Sequence, residues 1–306
     1  MNVTTKLNKL CQIADFEAIR PYMQELQAVP EPGKEHRKQW EVAMAICTFA
    51  ECVAPTAPLR TLGVGAGNEI TLYWLTRHSE VHVTDLYADA GTWDDTAPLA
   101  MLKDPASTCS HLEWNPRRLI VQHMDGRDLR YEDDSFDFVF SSSSIEHFGE
   151  FGDVATSMRE IGRVLKPGGI VSLSTEFKLA GPGGGFHNVL TLDTDDLCAL
   201  IEASGLRMID DLDLTPDPGL TASFQKVFED IADFGTPQEF PHIKLEFHGY
   251  EWTSVHLALR KPLNTHDHNG ITVAQWRDNH GLHQPIQAAK FAKTMLPGAL
   301  AARAAG

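Results

Sequence analysis

The sequence predicts a doubly wound α/β fold: a parallel sheet with helices on both faces, preceded by a helical cap. Three observations carry this. From Leu59 onward, short apolar runs alternate with stretches of helical spacing, the pattern of repeated strand–helix units. A glycine loop, Thr61-Leu-Gly-Val-Gly-Ala-Gly-Asn-Glu69, follows the first run directly and opens a helix. The residues before Leu59 read as helical.

Within residues 1–58, Trp40, Ala43, Met44, Cys47, Ala50 and Val53 recur every three or four positions, one face of an amphipathic helix between Lys34 and Val53. A second helix is predicted from Asp15 to Gln27, with Pro21 starting, kinking or ending it. Pro30-Glu-Pro-Gly33 breaks the chain between them. Strands are predicted at Leu59–Gly63, Val81–Asp85, Arg118–His123, Phe136–Ser142 and Gly169–Thr175, with later ones at Arg207–Asp213 and Tyr250–Arg260. Helices are predicted at Asn68–His78, Phe151–Leu165 and Asp193–Ser204, the last closed by Gly205. The expected organisation is a cap over 1–58, a core over 59–262 and a tail over 263–306. Two insertions interrupt the core, at about 86–116 and 216–249. The first holds Trp93 and is far longer than the usual connection of about two to six residues, which suits a binding loop or lid. The second holds a predicted helix at Thr221–Ala232.

Composition narrows the function. The 306 residues carry 26 Lys and Arg against 42 Asp and Glu, a formal net charge of −16. Such a surface repels phosphate backbones, so no nucleic-acid partner is expected. No run approaches the ~18 consecutive apolar residues of a membrane helix, so no membrane partner is expected either. Five cysteines, odd in number and without a CxxC pair, suit free thiols in a reducing cytosol, and with Asp15 and Glu17 in place of an apolar run no secretory signal is expected in the first residues. His266-Asp-His268 is the most metal-like pattern, but no further ligands stand at recognised spacing. No metal is expected, and the oligomeric state is left open.

The glycine loop lets the backbone turn sharply and lets a ligand approach it closely. A nicotinamide dinucleotide site would need G-x-G-x-x-G, whose third glycine would fall on Asn68, so a nicotinamide-dependent oxidoreductase is disfavoured. Asp85 ends the second strand, where a carboxylate can accept bonds from both ribose hydroxyls. Asp125-Gly126 lies just past the third strand, placed to take an exocyclic amine. Ser135 to His147 forms a strand opening into a polar loop. Arg159 to Gly169 is a helix ending in a Pro-Gly-Gly turn.

In this order and spacing the motifs resemble those of the class I S-adenosylmethionine-dependent methyltransferases, over about Lys34 to Pro262. The resemblance implies a seven-stranded, mostly parallel Rossmann-like sheet with the last strand antiparallel, and S-adenosylmethionine as cofactor. It implies that Gly63, Gly65 and Gly67 approach the methionine part, Asp85 holds the ribose, and Asp125 and Gly126 hold the adenine. Leu86 would pack on the adenine face, and Ser141 and Ser142 would stand near the reactive centre. One departure is Thr61: the family usually carries an acid two positions before the first glycine.

An oxygen acceptor needs a base for its proton, and His147 is the best-placed candidate. Its neighbour Glu146 is the second catalytic candidate, suited to orienting groups or facing the cofactor. His187, after the run Gly181 to Gly185, is an alternative base. The expected activity is methyl transfer to a small-molecule acceptor, a hydroxyl of a sugar or specialised metabolite. A non-catalytic S-adenosylmethionine-binding protein is the alternative.

Overall fold

The apolar runs become strands because helices cover both of their faces. In the computed structural model, which describes residues 5–55, 58–88, 97–108, 111–186, 189–220, 223–224, 240–247 and 249–282, five of them form β1 (Arg60–Val64), β2 (Glu80–Asp85), β3 (Leu119–His123), β4 (Phe136–Ser142) and β5 (Leu165–Ala180). They pair in parallel in the order β5-β4-β1-β2-β3. The chain therefore builds outward from β1, then crosses back to start β4 on the other side. That reversal opens a crevice at the strand C-terminal ends.

Three further strands are β6 (Arg207–Met208), β7 (Leu245–Phe247) and β8 (Tyr250–Arg260). β8 runs antiparallel to β5, from Arg260 opposite Ile170 to Glu251 opposite Ala180. Its length explains why β5 extends well beyond the predicted Gly169–Thr175. The other edge of β8 is shared: β7 pairs at Tyr250–Trp252, a two-residue strand at Lys9–Leu10 pairs at Val255–His256, and β6 pairs at Leu259–Arg260. Ser223–Phe224 adds beyond β7. The sheet thus has ten strands among the described residues, against the seven expected. Sharing one edge also shortens β6 to two residues where Arg207–Asp213 was expected.

The helices are α1 (Asp15–Ala18), α2 (Arg20–Glu25), α3 (Arg37–Cys52), α4 (Ile70–Leu75), α5 (Ala100–Lys103), α6 (Phe151–Val164), α7 (Thr194–Ser204) and α8 (Val273–Asn279). Pro21 sits in the first turn of α2, where its missing N–H leaves no bond unmade, and the predicted Asp15–Gln27 helix divides there. Capping boxes start α6 (Glu150 with Asp153) and α7 (Asp193 with Asp196), and Gly205 ends α7 at φ 71°. Val154, Met158 and Ile161 of α6 and Leu197 and Ile201 of α7 pack on Leu62, Val64, Val139 and Leu173. On the opposite face, Trp40, Met44 and Cys47 of α3 and Leu72 and Tyr73 of α4 pack with Val83, Phe138 and Phe140.

The segment before α3 is tied into the sheet. Leu10, Ile19 and Leu26 are fully buried, and the Asn8 side chain accepts from Ala258 N at 2.8 Å. In the first insertion, Tyr87–Ala88 pairs with Ala97–Pro98, and Tyr73 donates to the Pro105 carbonyl at 2.9 Å, anchoring the insertion to α4. Trp93 lies outside the described residues. Of the helix expected at Thr221–Ala232, only Ser223–Phe224 is described, and it is extended because it pairs with β7.

Gly162 marks the closest approach of α6 to α7: a Cβ there would lie 2.1 Å from the Ser204 carbonyl oxygen. Alanine is worth about 1 kcal/mol more than glycine inside a helix, but forcing extra volume into packed structure costs roughly 1–3 kcal/mol. A clash with backbone has no rotamer escape. Gly162→Ala is therefore expected to lower the midpoint of urea unfolding.

Candidate functional site

Gly65 and Gly67 adopt φ of 59° and 46°, which bends the chain back over the end of β1. The turn is fastened to β2, where Gly67 N donates to Asp85 Oδ2 at 2.8 Å while Leu86 N donates to Oδ1 at 2.7 Å. It is also fastened to the loop after β4, where Ser144 Oγ donates to the Gly65 carbonyl at 2.5 Å. A Cβ on Gly65 would come within 2.9 Å of the Phe148 ring, and one on Gly126 within 2.6 Å. Phe148 thus fills the space that two missing side chains leave.

These turns wall a cavity of about 810 Å³ at the strand C-terminal ends. Gly65, Asp85, Leu86, Asp125, Gly126, Ser142 and His147 all line it. The structure brings together most of the residues singled out in the sequence. Gly67 adjoins them through its bond to Asp85. Gly63, Ser141 and Glu146 do not line the cavity. A Cβ on Gly63 would meet Ala66 at 2.8 Å and Phe140 at 3.0 Å, so this glycine serves packing. Ser141 is buried, with no partner for its hydroxyl. His187 lies outside the described residues. Thr61 is buried, its hydroxyl 2.8 Å from that of Ser79, and it too does not line the cavity.

Among the lining residues not singled out in the sequence are Lys38, Glu41, Glu69, Arg127 and Phe148. A signal existed for two. Arg37, Glu41 and Thr48 follow the spacing of the apolar face of α3 and are buried with it, and Glu69 stands two places after the last loop glycine. Arg37 Nη1 reaches Glu176 at 2.6 Å, Ser254 Oγ at 3.0 Å and Glu41 at 3.2 Å. Glu41 also accepts from Ser143 at 2.7 Å, from Lys38 at 3.3 Å and from Ser254.

The carboxyls divide by environment. Burial raises Asp85, although the Gly67 and Leu86 N–H groups oppose it. The bonded Arg127 holds Asp125 below its ordinary value. Burial, with the charge of Glu41 adding to it, pushes Glu69 up to about 8, against a bond from Ser142. Burial and the nearby Glu176 push Glu146 up to about 8. Burial acts on Glu176 too, but Arg37 and Lys38 outweigh it and hold that group low. Glu146 accepts from Thr175 Oγ1 at 2.9 Å, and its Oε1 has no partner. His147 ends a 3-10 turn over Ile145–His147, with its side chain at the exposed mouth of the cavity. Among the described residues no group of three His, Cys, Asp or Glu could hold a metal ion.

Residues 62–173, from β1 into β5, match the protein family described as a methyltransferase domain. That match marks a methyltransferase domain within the chain, for which S-adenosylmethionine is the cofactor. It is similar to the O-methyltransferase rstn1 of Aspergillus nomiae, at 27% identity over 176 residues, covering 54% of this chain and 72% of that protein. Among solved structures it is similar to the [4+2]-cyclase SpnF, at 18% identity and a TM-score of 0.49, covering 85% of this chain and all (100%) of that one. It is also similar to phosphoethanolamine N-methyltransferase 2 of Haemonchus contortus, solved with S-adenosylmethionine, at 16% identity and a TM-score of 0.47, covering 81% and 57%. The residues present fit the cofactor: four carboxylates line the cavity beside the glycine turn, and a buried oxygen of Glu69 among them accepts nothing.

The shifted Glu146 has a consequence for stability. Between pH 4.5, its ordinary value, and about 8, the folded chain keeps a proton that the unfolded chain has released. Its contribution is therefore full below pH 4.5 and lost as pH rises toward 8. Glu146→Gln cannot ionise, so the fall in unfolding free energy across that window is expected to be smaller than in the wild type, as read by denaturant titration at both ends.

Proposed function

We propose that the chain methylates a hydroxyl group of a small organic molecule, with His147 taking the hydroxyl proton. The observation that carries this reading is the placement of His147 at the mouth of the cavity walled by Gly65, Asp85 and Asp125. A volume of about 810 Å³ lies in the range of small-molecule sites. The likeness to an O-methyltransferase supports an oxygen acceptor.

When bound, S-adenosylmethionine supplies an electrophilic methyl group on a sulfonium. In this reading Asp85 accepts the ribose hydroxyls, Asp125 and Gly126 meet the adenine edge, and Leu86 covers its face. The turn at Gly65 and Gly67 brings the backbone beside the methionyl part, and Ser142 stands at the end of β4 next to it. The carboxylates around the cavity favour a cationic donor over a neutral product. Neutral His147 accepts the acceptor's proton at a ring nitrogen, so the oxygen gains nucleophilic character as it meets the methyl carbon. Positioning supplies much of the remaining rate. No helix is long and apolar enough to cross a membrane among the described residues. The free thiols of Cys11, Cys47, Cys52 and Cys198 support a reducing, cytoplasmic setting.

Two variants separate binding from chemistry. Asp85→Ala is expected to weaken S-adenosylmethionine binding by about 1.5–3 kcal/mol, the worth of charge-assisted hydrogen bonds, read by calorimetry. His147→Asn is expected to lower kcat about 10²–10⁴-fold with nearly unchanged cofactor affinity. A His147→Asn enzyme with near wild-type turnover would remove the base from this scheme.

A further inference from the structure

We propose that Glu69 receives the α-ammonium group of S-adenosylmethionine, replacing the acid that this chain lacks at position 61. The proposal rests on the cofactor and is independent of the acceptor. The methionyl end carries an ammonium group that needs an anion in a site shielded from water. Thr61 cannot supply one, because its hydroxyl is paired with Ser79 and does not line the cavity.

Four carboxylates line that cavity: Glu41, Glu69, Asp85 and Asp125. Asp125 is held by the Arg127 guanidinium at 2.7 Å. Asp85 takes the N–H groups of Gly67 and Leu86 on its two oxygens, and in the reading above its remaining lone pairs go to the ribose. Glu41 is taken up by Arg37, Lys38, Ser143 and Ser254. Glu69 alone among them keeps a buried oxygen, Oε2, with no hydrogen-bond partner. A buried carboxylate oxygen left unmatched is costly unless a ligand satisfies it. The position suits the methionyl end as well. Glu69 directly precedes α4, two residues past Gly67, and is bonded to Ser142 at the end of β4, so it stands between the strand ends that flank the crevice.

The groups facing Glu69 are Lys38 and Glu41 of α3 and Asp85 of β2. With burial and Glu41 raising it to about 8, Glu69 is largely protonated at neutrality. An ammonium group favours its ionised form, so binding should release a proton and tighten as pH rises toward 8.

The test compares S-adenosylhomocysteine with its des-amino analogue, which keeps the adenosine, the sulfur and the carboxylate. Calorimetry on the full chain should show the wild type preferring the amino compound by about 10-fold or more, with affinity rising from about pH 6 to about pH 8. Glu69→Gln should lose both the preference and the pH dependence, yet bind the des-amino analogue as the wild type does. A Glu69→Gln protein that keeps the preference, or weakens equally toward both ligands, overturns the proposal. A wild type that binds neither ligand overturns the cofactor reading itself, and the proposal with it.

Discussion

A buried guanidinium holds α3 to the sheet. Arg37 leaves α3 and meets carboxylates on α3 itself and on β5, and a hydroxyl on β8, while only 7% exposed. Removing one partner from such a pair leaves an uncompensated charge in the interior, a loss of about 3–5 kcal/mol. The inner wall of the cavity depends on this joint, because Lys38 and Glu41 reach the cavity only while α3 lies where Arg37 holds it. The acids that set the local field and the helix that closes the cavity are thus one construction.

What was legible in the sequence was local. β4 runs from Phe136 to Ser142 as its apolar run implied, and α7 starts and stops on Asp193 and Gly205 because cap chemistry is written within a few residues. Gly65, Asp85 and Asp125 could be found because each closes or follows a strand of a parallel sheet, and all such ends face one crevice. β6 was misjudged because its length is decided by competition for the edge of β8, and the competitors come from residues 9–10 and 245–247. Glu41 and Glu69 were missed for a similar reason. A glutamate on a helix normally reads as a solvated residue, and only tertiary burial changes its meaning.

The protein treats charge differently in bulk and in detail. A formal charge of −16 makes the surface broadly acidic, and the cavity repeats that sign with buried carboxyls. Burial is what converts them from a diffuse field into individually tuned groups, since Glu69 and Glu146 are raised while Glu176, beside Arg37, is held low. Arg37 and Lys38 bond to Glu176 and keep it charged, while the nearby Glu146 carries a proton.

The edge of β8 also bears on how the chain reaches its native state. Lys9 and Leu10 pair with His256 and Val255, so the first strand of the chain waits for nearly the last one. During synthesis β1 to β4 can assemble on the contacts among themselves, whereas the N-terminal strand, apart from a bridge of Lys9 to Asp213, has no sheet partner until residues 250–260 have left the ribosome. Closing loops of that span is slow compared with local pairing. The N-terminus should therefore be the last piece stitched down, and until then the apolar side chains of Leu7, Leu10 and Ile19 stand exposed to chaperones and to other nascent chains.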